Sequence, residues 1–464
     1  MKKFLSTAAA LGLVVGLAAT ASALELKVKG SYDVDGYYLN QGLGAASGAG
    51  TNPWDFSDPY TRAGFMAVTG IEGVGDDSKS DDWYWHEFRL QPTLQINDKL
   101  ELRGDIRLVD SNSVWGAQDD LMRFDGGGIR MDKLWMIYDS PVGRIEVGRR
   151  PAGSWQYDFV NSGTAADRIM WWAPAMDNFK AYAFLQKSLE QDGYSLNDSD
   201  LDTDYYEVAG GYGAEGINAW LGLGWNADRS KDVAVTGFST DTYRIKGYGD
   251  VKISDMFMAL GEFDYKWGTR EYNSGAADSD ISSLAGLVAG VGMFGDLTTV
   301  LGYAYISGQE GPDAQGNADL TAYDTKNGMG ADFEPLYILT GSACNILNGD
   351  LGSSVVGDAV RTSGAHAVVL LADFKASEDL TLHGGLGWGK ADDTSGLAAL
   401  LGLPDNIDDA YGYEVDLGLA YQLYQNLTYE VHFGWWAVGD FAELGVGVQT
   451  EDVYLLSHHL SMQF

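Results

Sequence analysis

WYWHEFRLQPTLQINDKLELRGDIRLVD, residues 83–110, decides the fold. In it Phe88, Leu90, Leu94 and Ile96 alternate with Glu87, Arg89, Gln91, Thr93 and Gln95. A short turn at Asn97-Asp98 follows. Then Leu100, Leu102, Ile106 and Leu108 alternate with Glu101, Arg103, Asp105 and Arg107. The period is two, and charge occupies one face throughout. A water-soluble sandwich also alternates, but its strands average about five or six residues. Strands of about ten residues with one clean apolar face fit a wall with lipid outside and a wet lumen inside.

The same grammar runs through the chain. Leu24, Leu26, Val28, Tyr32, Val34 and Tyr38 oppose Glu25, Lys27, Lys29, Asp33 and Asp35. Further strands are expected at 129–138, 144–150, 167–172, 179–187, 205–212, 217–225, 242–253, 256–267, 281–294, 297–306, 364–375, 380–389, 411–424, 427–438 and 452–464. Short turns such as Ser140-Pro141-Val142-Gly143, Ala214-Glu215-Gly216, Gly295-Asp296 and Gln425-Asn426 alternate with long polar loops. Short periplasmic turns and long extracellular loops are the asymmetry of outer-membrane barrels. The expectation is an all-β, antiparallel up-and-down transmembrane barrel of about 18 strands, with 16 as the alternative.

Composition agrees. The chain of 464 residues carries a formal charge of −36, with 61 Gly, 26 Tyr, 14 Trp and 9 Pro. That acidity argues against nucleic acid as a partner. The aromatic content argues against disorder. One cysteine, Cys344, excludes an internal disulfide framework. Lys2 and Lys3, the apolar run from Leu5 to Thr20, and Ala21-Ser22-Ala23 have the form of a secretory signal peptide. Residues 1–23 are therefore expected to be removed, leaving 24–464 as a single barrel domain in the cell outer membrane after Sec-type export. Without Lys2 and Lys3 the charge becomes −38 (−36 minus 2). Past that segment no apolar run is long enough for a membrane helix, so crossing requires a closed barrel.

The last strand carries Tyr454, Leu456, Leu460, Met462 and Phe464 on one face, with Phe464 the final residue. This resembles the signal by which barrel-assembly machinery recognises outer-membrane barrels. Tyr and Trp gather near strand ends, as in the aromatic girdles at lipid interfaces. The stretch Leu134-Trp-Met-Ile-Tyr138 followed by Gly143-Arg-Ile-Glu-Val-Gly-Arg149 resembles the strand–turn–strand before the constriction loop of the Gram-negative porin superfamily. Pro151 to Asp167 replaces the P-E-F-G-G element of enteric porins, and the extra hairpin makes the chain similar to 18-stranded substrate-selective channels. The resemblance implies a homotrimer and a water-filled channel for small hydrophilic solutes and ions. The alternatives are substrate-selective uptake and, from another class, a structural or adhesive barrel. Lipid and lipopolysaccharide are the expected surroundings, and no cofactor is expected.

The expected constriction is a transverse field. Arg89, Arg103, Arg107, Arg144, Arg149 and Arg150 would stand on one side with Asp158 and Asp167 of an inward loop facing them. Glu414, Asp416 and Glu430 belong to the last strands, and Asp33 and Asp35 to the first. Glu207, Glu262, Asp264, Arg244 and Lys246 also read as lumen charges, and the inner wall is near balance. Most surplus acid lies in loops, so a modest cation preference that weakens with salt is expected.

Weaker features carry little chemistry. Asp198, Asp200, Asp202 and Asp204 begin like a calcium loop, but Thr203 and Ala209 stand where its Gly and Glu are required. His383, His432 and His459 fall on inward positions without implying a metal site. None of the six histidines sits in a nucleophile motif, so an enzyme is not expected.

Overall fold

A computed structural model describes residues 24–40, 81–114, 130–153, 155, 159–160, 165–174, 176–190, 201–232, 237–312, 319–323, 335–340, 363–403, 405–443 and 452–464. The strands are β1 Glu25–Leu39, β2 Asp81–Asn97, β3 Leu100–Val114, β4 Arg130–Ser140, β5 Gly143–Arg150 and β6 Ala166–Trp172. β7 Phe179–Leu189, β8 Thr203–Ala214, β9 Ile217–Asp228, β10 Phe238–Lys252, β11 Phe257–Tyr272 and β12 Ser279–Phe294 follow. The last six are β13 Leu297–Ile306, β14 Ala365–Lys375, β15 Leu380–Lys390, β16 Ala410–Tyr424, β17 Leu427–Val438 and β18 Val453–Gln463. Each pairs antiparallel with its sequence neighbours, and β18 pairs with β1, closing one 18-stranded sheet. The main expectation of 18 strands stands. No helix among the described residues is long and apolar enough to cross a membrane.

Closure is finished by the final residue. Gly30 and Phe464 exchange backbone hydrogen bonds at 2.9 and 3.0 Å. The Phe464 ring lies where a Cβ on Gly30 would stand, which is why that position takes glycine.

The outward phase is mostly apolar, as in Leu221 and Leu223, Val288, Leu301 and Leu417. In a membrane these exposed side chains meet lipid. Near the long-loop end, Leu185, Tyr206, Trp225, Tyr243 and Trp267 form one registered row across β7 to β11. Tyr206 stacks on Trp225 at 5.3 Å and Tyr243 on Trp267 at 6.0 Å. Near the short turns, Phe179 meets Tyr212 at 5.1 Å and Phe257 meets Phe294 at 5.6 Å. These are the two interfacial belts. The C-terminal residues Tyr454, Leu456, Met462 and Phe464 are likewise exposed on the outer wall.

The inside is only partly wet. The largest buried apolar cluster lies within the barrel, where Phe159, Val160, Tyr323, Leu336, Ile338 and Leu339 pack on Leu260, Ala304, Ile306, Ala367 and Val369 of the inner wall. Those six side chains come from two long connections, β5–β6 and β13–β14. A short helix, α1 (Ser395–Leu401), lies in the β15–β16 connection and stops at Gly402 in the left-handed conformation.

Candidate functional site

The inner wall divides into arcs. On β2–β4, Arg89 lies 3.2 Å from Glu87 and 3.4 Å from Asp105. Arg107 contacts Glu87 at 3.2 Å and Asp132 at 2.6 Å, and Lys133 reaches Asp105 at 3.0 Å. Arg130 also binds Asp132. This network places Arg89 and Arg107 in the lumen, each held by acids rather than pointing freely across it. Asp132 and Lys133 escaped the sequence pattern because a register shift between Asp105 and Ile106 breaks the alternation there.

Farther round, Arg150 pairs with Glu146 at 2.8 Å and is buried. Arg168 donates to Gln186 and to the Ala152 carbonyl, with its guanidinium 4.0 Å from the Phe184 ring centre. Glu207 pairs with Lys246 at 3.0 Å and also accepts the hydroxyls of Tyr182 and Tyr205. Arg244 pairs with Asp264, which also accepts the Tyr323 hydroxyl. Lys266 lies 3.7 Å from the Tyr323 ring centre. Cationic side chains and tyrosines thus interleave up β6–β11.

Two acidic positions do different work. The Trp155 indole N–H donates to Glu262 at 2.9 Å, and the Phe159 and Val160 backbone N–H groups donate to its other oxygen at 3.0 and 3.1 Å. Glu262 therefore holds the β5–β6 loop inside the barrel. Five strands farther round the wall, on β16, Glu414 accepts the backbone N–H groups of Ile338 (2.7 Å) and Leu339, while Asp416 accepts that of Tyr337 at 3.0 Å. These two carboxylates hold the β13–β14 loop. Backbone donors bound to an anion are the strong kind of hydrogen bond, and here they fix otherwise irregular chain.

Beside the second loop is a cavity of about 240 Å³ lined by Asp35, Tyr37, Leu336, Tyr337, Glu430, His432, Leu455, Ser457 and His459, with His458 at its edge. His459 contacts Asp35 at 2.6 Å, His383 contacts Asp373 at 2.7 Å, and His432 lies 3.4 Å from Glu430. Tyr337 stacks on His432 at 4.4 Å and 3°. Burial and the neighbouring Asp416 and Glu430 push the Tyr337 phenol well above its ordinary value, so it stays a hydroxyl donor. Among the described residues no group of three His, Cys, Asp or Glu could hold a metal ion.

Several sequence expectations shift. Arg149 and Asp167 pair with each other at 3.0 Å, half exposed, in the outward phase shared with Ile169 and Trp171. Their register row continues through Lys187 and Asp204. It sits one step beyond the apolar row that becomes aromatic at Tyr206, at the extracellular rim. They are rim charges, not constriction charges, because alternation from Ile145 and Val147 carries Arg149 outward. Arg103 and Arg144 lie near the periplasmic turns, exposed and paired with Glu101 and Asp139. Glu414 and Asp416 are inward but spent on the loop, whereas Glu430 lines the cavity. Asp202 and Asp204 close on Lys187, away from any calcium geometry. Asp158, Asp198, Asp200, Cys344 and all of residues 41–80 lie outside the described residues.

No protein-family model matches the chain, and no curated protein matches it. Among solved structures it is similar to a variant of OprD, with a TM-score of 0.52 at 12% identity over 96% of this chain and 97% of that one. The outer membrane protein OprD from Pseudomonas aeruginosa gives 0.51 at 12% identity, covering 94% of both chains. At that identity the likeness is one of fold. The closed barrel, outward apolar wall and interfacial aromatic belts, with this likeness, define an integral multi-pass outer-membrane β-barrel of porin fold.

Proposed function

We propose that the protein is a substrate-selective outer-membrane channel for small hydrophilic solutes and ions. The observation that carries this is the pinning of two loops inside the lumen by Glu262 and by Glu414 with Asp416. Two anchored insertions narrow the passage and line it with fixed polar groups, which is what a selective channel needs. The passage separates a cationic, tyrosine-rich arc on β6–β11 from an arc bearing Asp33, Asp35, Asp373, Glu430 and three histidines. A solute with both charge signs, or with oriented hydroxyls, finds partners on both sides.

A modest cation preference belongs to the same proposal, supported by the surplus of acidic residues in the loops over a nearly balanced inner wall. So do the homotrimer, implied by the porin resemblance, and recognition by the assembly machinery, supported by the outward C-terminal residues. Contact with lipopolysaccharide is supported by the rim row of Arg149, Asp167, Lys187 and Asp204.

The test is reconstitution into planar bilayers and liposomes. Discrete conductance, a cation-sided reversal potential and solute flux that saturates with concentration are expected. Linear flux with only a size cut-off would replace selectivity by general diffusion. An absence of conductance from folded, heat-modifiable barrels would replace the channel by a structural barrel.

A further inference from the structure

The segment Leu336–Leu339 lies inside a barrel whose lumen should be polar, yet Leu336, Ile338 and Leu339 are 1%, 0% and 0% exposed. What lies under them explains this. The inner face of β15, β16 and β17 carries Gly385 and Gly387, then Glu414, Asp416 and Gly418, then Gly434. Register pairs Gly387 with Glu414, Gly385 with Asp416, and Asp416 with Gly434. Asp416 thus lies between two positions without side chains, and Glu414 lies between Gly387 and Trp436.

The loop fills those positions. A Cβ on Gly387 would occupy the place of a Leu336 methyl, and one on Gly385 would lie 3.0 Å from Leu336 Cδ2. At Gly434 it would lie 3.1 Å from Ile338 Cδ1, and at Gly418 it would lie 2.6 Å from the Tyr337 hydroxyl. Glycine inside a strand weakens it and marks close approach of another chain segment. Here four glycines face the same segment.

We propose that Gly385, Gly387, Gly418 and Gly434 set the bore of the channel, by forming a trough that recesses Leu336–Leu339 into the wall instead of leaving it across the passage. The carboxylates pin the backbone, and the glycines decide how far from the axis it lies. They are positioning residues for permeation. The inference rests on the channel reading above.

Alanine is too small to test it, because the tip of Leu336 can swing away from a single methyl. Leucine at Gly387 or Gly434 fills the trough and lifts the segment toward the axis. The control is Gly384→Leu, on β15 but in the outward phase, where a Cβ meets nothing within 4 Å. Gly387→Leu and Gly434→Leu are expected to lower single-channel conductance and reduce the size of polymer that enters, while Gly384→Leu leaves both unchanged. Unchanged or increased conductance in both trough variants, with normal heat-modifiability, overturns the proposal.

A second measurement needs no ion flow. In a Cys344→Ser background, a Leu336→Cys thiol in the folded barrel is expected to resist a water-soluble maleimide, and to react once Gly387→Leu is added. Ready labelling without the trough substitution overturns the seating. A wild-type protein that does not conduct would remove the channel reading, and the labelling result would still decide the trough.

Discussion

Glu262 on β11 holds Trp155 by its indole N–H at 2.9 Å, 107 residues away in sequence. Through the same carboxylate it holds the backbone of Phe159 and Val160. Glu262→Ala leaves three donors without their acceptor, each costing about 1–3 kcal/mol while it stays buried. The loop can escape that cost by leaving the wall for water. The expected outcome is a barrel that still folds but shows noisier current and weaker solute discrimination. Glu262→Gln, which keeps one acceptor oxygen, should fall between. Wild-type current noise and flux selectivity in Glu262→Ala would mean the loop is held by its apolar packing alone.

A buried pair gives a stability test. Glu207 and Lys246 lie 3.0 Å apart with side chains 0% and 6% exposed. Removing one member of a buried ion pair costs about 3–5 kcal/mol, because the other charge remains without its counter-ion. Lys246→Met should therefore lower the unfolding midpoint markedly, read by heat-modifiable gel mobility. Glu207→Gln combined with Lys246→Met should recover most of the loss. A double variant as unstable as the single one would show that packing against Tyr182 and Tyr205, not charge, is at stake.

How much of this was legible follows from the same residues. Alternation between Leu100, Leu102 and Ile106 and the charged residues among them placed strands and faces correctly, since period two is imposed by the pleat itself. Glu414 and Asp416 were likewise read as inward. Their partners were not legible, because the N–H groups they bind come from 75 to 79 residues away and irregular backbone leaves no periodic mark. The glycines beside them looked like ordinary strand glycines. Arg149 and Asp167 could have been placed by counting phase from Ile145, but the loop they flank drew them into the pore. Glu262 stood among the lumen charges with nothing in its neighbours to single it out.

The outer wall allows a paired test of that corrected placement. Leu221, 51% exposed in the outward phase of β9, should meet hydrocarbon, whereas Arg149 should meet headgroups. Leu221→Arg is expected to cost about 2–4 kcal/mol near the bilayer midplane, whereas Arg149→Leu at the interface should change stability by no more than about 1 kcal/mol in either direction. Denaturant unfolding in lipid vesicles measures both. Equal, large losses would return Arg149 to a structural role inside the barrel.

Arg107 and Arg103 are alike in the sequence but differ in their surroundings. Arg107 is 18% exposed and bound to Glu87 and Asp132 within the β2–β4 network. Arg103 is 44% exposed beside Glu101, near the turn after β2. Each change to alanine leaves one more uncompensated negative charge. At Arg107 that charge lies among groups facing the lumen, where screening by water is weaker. At Arg103 it lies toward the mouth, where salt screens within about 10 Å at 0.1 M and about 3 Å at 1 M. Arg107→Ala should therefore move the reversal potential toward cations at 0.1 M salt, and Arg103→Ala should move it little. Both shifts should shrink at 1 M salt, more completely for Arg103→Ala. Equal shifts at low salt would place the narrow part of the passage nearer the periplasmic turn than the two anchored loops imply.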